Sequence, residues 1–127
     1  MARNRILFAC LALAAPAIPA TATAAPLLPE STLILSVQQE MGSFDNTLLN
    51  CDPASGPHKN AKTACDNLAP VSGDFTKLPP AEALCTMELN PTKAKLHGTW
   101  RGKKVDFEET FSNPCVMRVN TAKVFDF

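Results

Sequence analysis

The sequence carries no surplus charge, no long apolar run and none of the short motifs that mark a catalytic centre. Its 12 Lys and Arg balance its 12 Asp and Glu, so nothing in the composition favours nucleic acid or an anionic membrane surface as a partner. The longest apolar stretch, Ile6 to Ala15, is too short for a bilayer, which takes roughly 20 residues of helix. There is no G-x-S-x-G, no phosphate-binding loop and no H-E-x-x-H, and with them go the commonest hydrolase, nucleotide and zinc-protease readings. Histidine is scarce. Cys51, His58 and Cys65 stand too far apart for a zinc site. His58 reads as a surface residue in the first turn of a helix, and His97 as a surface or edge residue on a strand. Asp106, Glu108 and Glu109 read as the solvated face of a strand. No cofactor, no metal and no enzymatic activity are expected.

What is present begins with an address. "MARNRILFACLALAAPAIPATATAAP" opens on Arg3 and Arg5, continues in the apolar run and ends in small residues around Ala22-Thr23-Ala24. This is the pattern of a secretory signal peptide, with cleavage expected after Ala24 or, alternatively, after Ala22. "LFAC" at 7–10 resembles a lipidation box but arrives before the apolar run is complete. Residues 1–24 are therefore read as a removed signal. Residues 25–127 are read as one secreted domain of 103 residues with 10 basic and 12 acidic side chains, a formal charge of −2. Cys10 leaves with the signal. Cys51, Cys65, Cys85 and Cys115 remain, an even number that in an exported chain reads as two disulfides. Three pairings are open. The most local joins Cys51 to Cys65 and Cys85 to Cys115.

Periodicity supplies the elements. "STLILSVQQ" (31–39) puts Leu33, Leu35 and Val37 on one strand face, with Ile34, Ser36 and Gln38 on the other. "FDNTLLNC" (44–51) is a second strand. Ser55 is a candidate cap, with Pro57 in the first turn of a helix that puts Ala61, Ala64, Cys65 and Leu68 on one face and ends at Pro70. One more helical turn is expected within 72–80. "KAKLHGTWRG" and "KKVDFEETF" form a hairpin through Arg101-Gly102, and "AKVFDF" closes the chain as a fifth strand. The order predicts an α+β fold, an antiparallel sheet covered on one side by helix.

The segment "EALCTMELNP" (82–91) fits neither a helix face nor a strand. Met87 has two readings. It is a gap filler in the core, as methionine often is. Or it lies in a loop that stays outside the core, tied down if Cys85 is bonded to Cys115 and so pre-organised to bind a partner.

Taken together, "LLNCDPASGPHKNAKTAC", "LCTMELNP", "HGTWRGKKVDFEETFSNPC" and the closing "VFDF" resemble the Streptomyces subtilisin inhibitor family, secreted standard-mechanism inhibitors of serine proteases. The resemblance runs from about Thr32 to Phe127. It implies disulfides Cys51–Cys65 and Cys85–Cys115, a five-stranded antiparallel sheet with two helices on one face, and a homodimer through the sheet. It implies a subtilisin-like protease as partner and a reactive bond at Met87–Glu88. Met87 would enter the primary specificity pocket and Leu84 an apolar pocket three residues earlier. Thr86 would face the catalytic histidine, Leu89 would hold the leaving side, and Asn113 would support the loop from below. Two residues depart from the family pattern. Glu88 stands where a smaller or apolar side chain is usual, which is expected to weaken some complexes. Pro114 is unusual before the last cysteine and is expected to stiffen or slightly displace Asn113. The rival expectations are an inhibitor aimed mainly at a secreted metalloprotease and a non-inhibitory binding module.

Overall fold

Alternating apolar residues in four segments set up a sheet with one dry face. The computed structural model describes residues 11–22 and 27–127. Arg3, Arg5, Cys10 and the cleavage point after Ala24 lie outside the described residues. Strands β1 (Ser31–Gln39), β2 (Phe44–Cys51), β3 (Thr92–Trp100) and β4 (Lys103–Phe111) pair antiparallel in the order β2-β1-β3-β4. Leu35 faces Leu96, which faces Phe107, so the register stacks apolar side chains across three strands. Leu33, Leu35, Val37, Leu49, Ala94, Leu96 and Trp100 are all buried on that face.

Helix α1 (Ala61–Leu68) covers it with Ala64, Cys65 and Leu68, and α2 (Pro114–Asn120) adds Met117. Cys51–Cys65 bonds α1 to the end of β2. The β3–β4 turn is a two-residue hairpin in which Arg101 and Gly102 both have positive φ, 45° and 82°. That is the geometry whose twist suits the flanking strands, and glycine takes the second place without steric cost. Gly98 answers a different need. A Cβ there would stand 2.1 Å from the Thr32 carbonyl oxygen of β1, so only glycine lets the two strands approach.

Three expectations are corrected. The sheet has four strands, not five. "AKVFDF" is a turn, because Ala122 and Lys123 take left-handed φ of 48° and 60° and fold the chain back under the sheet. The neighbours Val124 and Phe125 are then both buried, which a strand with one wet face does not allow. The first helix begins at Ala61 rather than near Ser55, since Ser55 pairs with Asn50 through two backbone hydrogen bonds of 3.0 Å. The helical turn expected in 72–80 is a short 3-10 turn, Phe75–Lys77, capped by the Asp74 carboxylate. The second full helix is α2, which periodicity did not announce.

His58 is a further correction. It is buried, not on the surface. Its Nδ1 accepts the Asn60 N–H at 3.0 Å. The proton therefore sits on Nε2, which donates to the Val124 carbonyl at 2.7 Å. Both ring nitrogens are spent on holding the C-terminal turn against α1. Among the described residues no helix is long and apolar enough to cross a membrane, and no cluster of three His, Cys, Asp or Glu is placed to hold a metal.

Candidate reactive loop

Between the 3-10 turn and β3 the chain runs through residues 78–91 without regular structure. A loop this long in a small domain is usually functional or disordered. This one is fixed at several points. Ala81 N–H donates to the Val119 carbonyl of α2 at 3.3 Å. Cys85 is bonded to Cys115 in the first turn of α2. Asn90 N–H donates to the Ser112 carbonyl at 2.9 Å.

The central strut is Asn113, whose whole amide is used. Its Oδ1 accepts the Val116 N–H at 2.9 Å and so caps α2. Its Nδ2 donates to the carbonyls of Thr86 (3.1 Å) and Glu88 (2.9 Å), the two residues flanking Met87. Pro114 explains why the side chain sits so well. A residue before proline is pushed to extended backbone, and an N-cap is extended too. Asn113 has φ −163° and ψ 169°, with Pro114 at the first helical position, where its missing N–H costs nothing. The departure at Pro114 therefore fits a cap.

Held this way, the loop displays what a core would normally hide. Leu84 is 102%, Met87 99% and Leu89 72% exposed, which rules out Met87 as a core gap filler. Each such side chain forgoes about 1.5–3 kcal/mol of burial. One exposed apolar residue is ordinary, but three within six positions of a fastened loop form a contact patch. Thr86 and Glu88 are exposed between them, and Cys85 is half-buried over its bridge. All six loop residues named from the sequence are thus contiguous on the surface, with Asn113 and Cys115 beneath. Cys51 and Cys65 belong to the α1–β2 junction.

Residues that sequence reasoning missed complete the trailing end. Asn90 Nδ2 donates to Gln39 Oε1 at 3.0 Å, and its Oδ1 accepts the Met41 N–H at 3.3 Å. Glu40 N–H donates to the Pro91 carbonyl at 2.9 Å. The β1–β2 turn therefore clasps the loop just before β3 begins. The Asn-Pro pair at 90–91 was the available signal for a turn; its partners, 51 residues away for Gln39, were not.

The profile described as "Subtilisin inhibitor-like" matches residues 29–113. Protease inhibitor SIL-V5 of Streptomyces luteoverticillatus is 43% identical over 105 residues, covering 76% of this chain and 97% of its own length. The transglutaminase-activating metalloprotease inhibitor of Streptomyces mobaraensis is 39% identical over 109 residues, covering 80% and 74%. A crystal structure of Streptomyces caespitosus sermetstatin in complex with Bacillus licheniformis subtilisin superposes with a TM-score of 0.62 at 30% identity, over 76% of this chain and 98% of that one.

Proposed function

The chain belongs to the subtilisin inhibitor-like family, and from that premise we propose that it is a secreted inhibitor of subtilisin-like serine proteases that presents Met87–Glu88 as the reactive bond. The observation that carries the reading is the double fastening around that bond. Cys85 is bonded to Cys115, while Thr86 and Glu88 are both gripped by Asn113, two residues from Cys115. One three-residue stretch thus holds the loop on both sides of the bond.

The mechanism follows from that arrangement. The loop enters the protease cleft as a substrate would. Met87 fills the primary pocket, Leu84 an apolar pocket upstream, Thr86 lies against the catalytic histidine, and Leu89 holds the leaving side. The catalytic serine attacks the Met87 carbonyl, and the leaving group is the amine of Glu88. Residue Glu88 stays held because its main-chain carbonyl accepts from Asn113 Nδ2, so the new amine remains in line with the acyl carbon. Well-oriented intramolecular partners reach effective concentrations of roughly 10⁵ M or more, so religation outruns escape. Interfaces of this type bury roughly 1,600 Å² and are among the tightest for their size. Trypsin is the poor match, because its pocket carboxylate would meet an uncharged thioether.

We assign a second copy of the chain to the open sheet face. Ile34 and Phe44 are exposed there, with Leu48 half-buried beside them. Lys93, Lys95 and Glu108 occupy the β3–β4 side of the same face and form ion pairs at 3.7 and 3.4 Å. The metalloprotease inhibitor among the relatives supports a second reading, in which a metalloprotease is the main target and Met87 is dispensable. Titration of active subtilisin with the purified protein tests the first. Stoichiometric loss of activity is expected. Undiminished activity at excess inhibitor would refute it.

A further inference from the structure

The protein's sulfur atoms fall into distinct classes. Cys51, Cys65, Cys85 and Cys115 are all in disulfides, so none of them offers a thiol to an oxidant. Met117 is buried to 2% exposure, whereas Met41 is 76% and Met87 99% exposed. Among the described residues, Met41 and Met87 are therefore the sulfur atoms open to oxygen transfer. They differ in consequence. The Met41 side chain points to solvent from the β1–β2 turn and only its backbone N–H touches the loop. The Met87 thioether is the group that the proposed mechanism sends into an apolar pocket.

We propose that Met87 is an oxidation switch: conversion of its thioether to the sulfoxide by a peroxide turns inhibition off while leaving the fold intact. This rests on the reading of Met87–Glu88 as the reactive bond. The step is a two-electron oxidation of sulfur. The peroxide O–O bond breaks, one oxygen bonds to sulfur, and the other leaves as water. The product is polar, chiral and a strong hydrogen-bond acceptor. In solvent it costs the protein nothing, because Met87 packs against no core residue. In an apolar specificity pocket the new oxygen finds no donor, and an apolar pocket discriminates against an added polar oxygen by about 100-fold. The change is reversible, since methionine sulfoxide reductases return the thioether.

The test is treatment of the purified protein with hydrogen peroxide, removal of the peroxide with catalase, peptide mapping of each methionine, and titration against subtilisin. Met41 and Met87 should oxidise together while Met117 stays reduced. The inhibition constant should rise about 100-fold, the melting temperature should stay within a degree or two, and reductase treatment should restore inhibition. A Met41→Leu variant should lose inhibition under peroxide as the parent does, and a Met87→Leu variant, whatever its own inhibition constant, should show the same constant before and after peroxide. A preparation with Met87 mapped as sulfoxide that still inhibits like the untreated protein would overturn the proposal. So would a peroxide-induced rise in the inhibition constant of Met87→Leu as large as the parent's. An untreated Met87→Asp variant separates the two levels. If it inhibits fully, the reactive-bond reading falls and takes the proposal with it. If it fails to inhibit while the sulfoxide form succeeds, only the switch is lost.

Discussion

Asn113 performs two tasks with one amide, and a pair of substitutions separates them. In Asn113→Ala both are removed. Loss of an N-cap costs about 1 kcal/mol, within a range of roughly 0.5–2. The two loop hydrogen bonds end on carbonyls of the exposed residues Thr86 and Glu88, which water can solvate once the amide is gone, so they add little to that cost. For a domain of about 100 residues, 1 kcal/mol corresponds to roughly 4–8 °C in melting temperature. In Asn113→Ser the cap is kept, since serine caps about as well as asparagine, but the side chain is too short to reach the loop. Thermal unfolding should therefore place the alanine variant several degrees below the parent and the serine variant close to it. Incubation with catalytic subtilisin, followed by mass spectrometry of the Met87–Glu88 bond, should show both variants cleaved much faster than the parent. If Asn113→Ser resists cleavage as the parent does, the amide does not hold the loop in the complex. If it melts as low as the alanine variant, the cap argument fails.

Four further outcomes follow. Met87→Lys should gain trypsin, whose pocket carboxylate pairs with the ammonium, and Met87→Asp should lose most subtilisin binding because a desolvated carboxylate finds no partner. Both should melt near the parent, and a loss of several kcal/mol in either would contradict the exposed position of Met87. Replacing Cys85 and Cys115 together by Ser removes about 3–4 kcal/mol in the chain-entropy model, and the variant should turn from inhibitor into cleaved substrate; resistance to cleavage would refute the fastening argument. Arg101 Nε donates to the Asp52 carboxylate at 2.8 Å, and this bond holds the Asp52 carboxyl below its ordinary value of 3.8. Its contribution is thus complete above about pH 4 and is lost as pH falls through the lower folded value; Asp52→Asn should flatten the acid limb of melting temperature against pH, and parallel limbs would refute it. The secreted protein should start at Ala25 or Thr23 by mass and sediment at about twice the monomer mass at micromolar concentration; a chain retaining Cys10, or a clean monomer, would remove the corresponding proposal.

Much of the frame is legible because it is local. The alternation in 31–39 named Leu33, Leu35 and Val37, and Arg101-Gly102 named its hairpin, since both signals lie within a few residues. What stayed hidden depends on distant partners. His58 looks like a surface residue until Val124, 66 positions on, accepts its Nε2 proton. "AKVFDF" has the composition of a strand, and only the left-handed pair at Ala122 and Lys123 makes it a turn. Helix α2 has seven residues, too few for periodicity to show, though Asn113-Pro114 carried the cap and first-turn signal. The loop residues came from resemblance. The clasp from Gln39 and Met41 did not.

The fastenings share a property with a consequence for the history of such a chain. At residues 81 to 89 the struts grip main-chain atoms, the Ala81 N–H and the Thr86 and Glu88 carbonyls, and the one side chain they engage is Cys85. Leu84, Thr86, Met87, Glu88 and Leu89 hold the loop in shape by no side-chain hydrogen bond or core contact. Mutation at those positions can therefore change what the loop fits without altering how it is presented. Such a frame works as an interchangeable cassette: five outward positions can be changed to suit a different protease, while the residues beneath keep the shape.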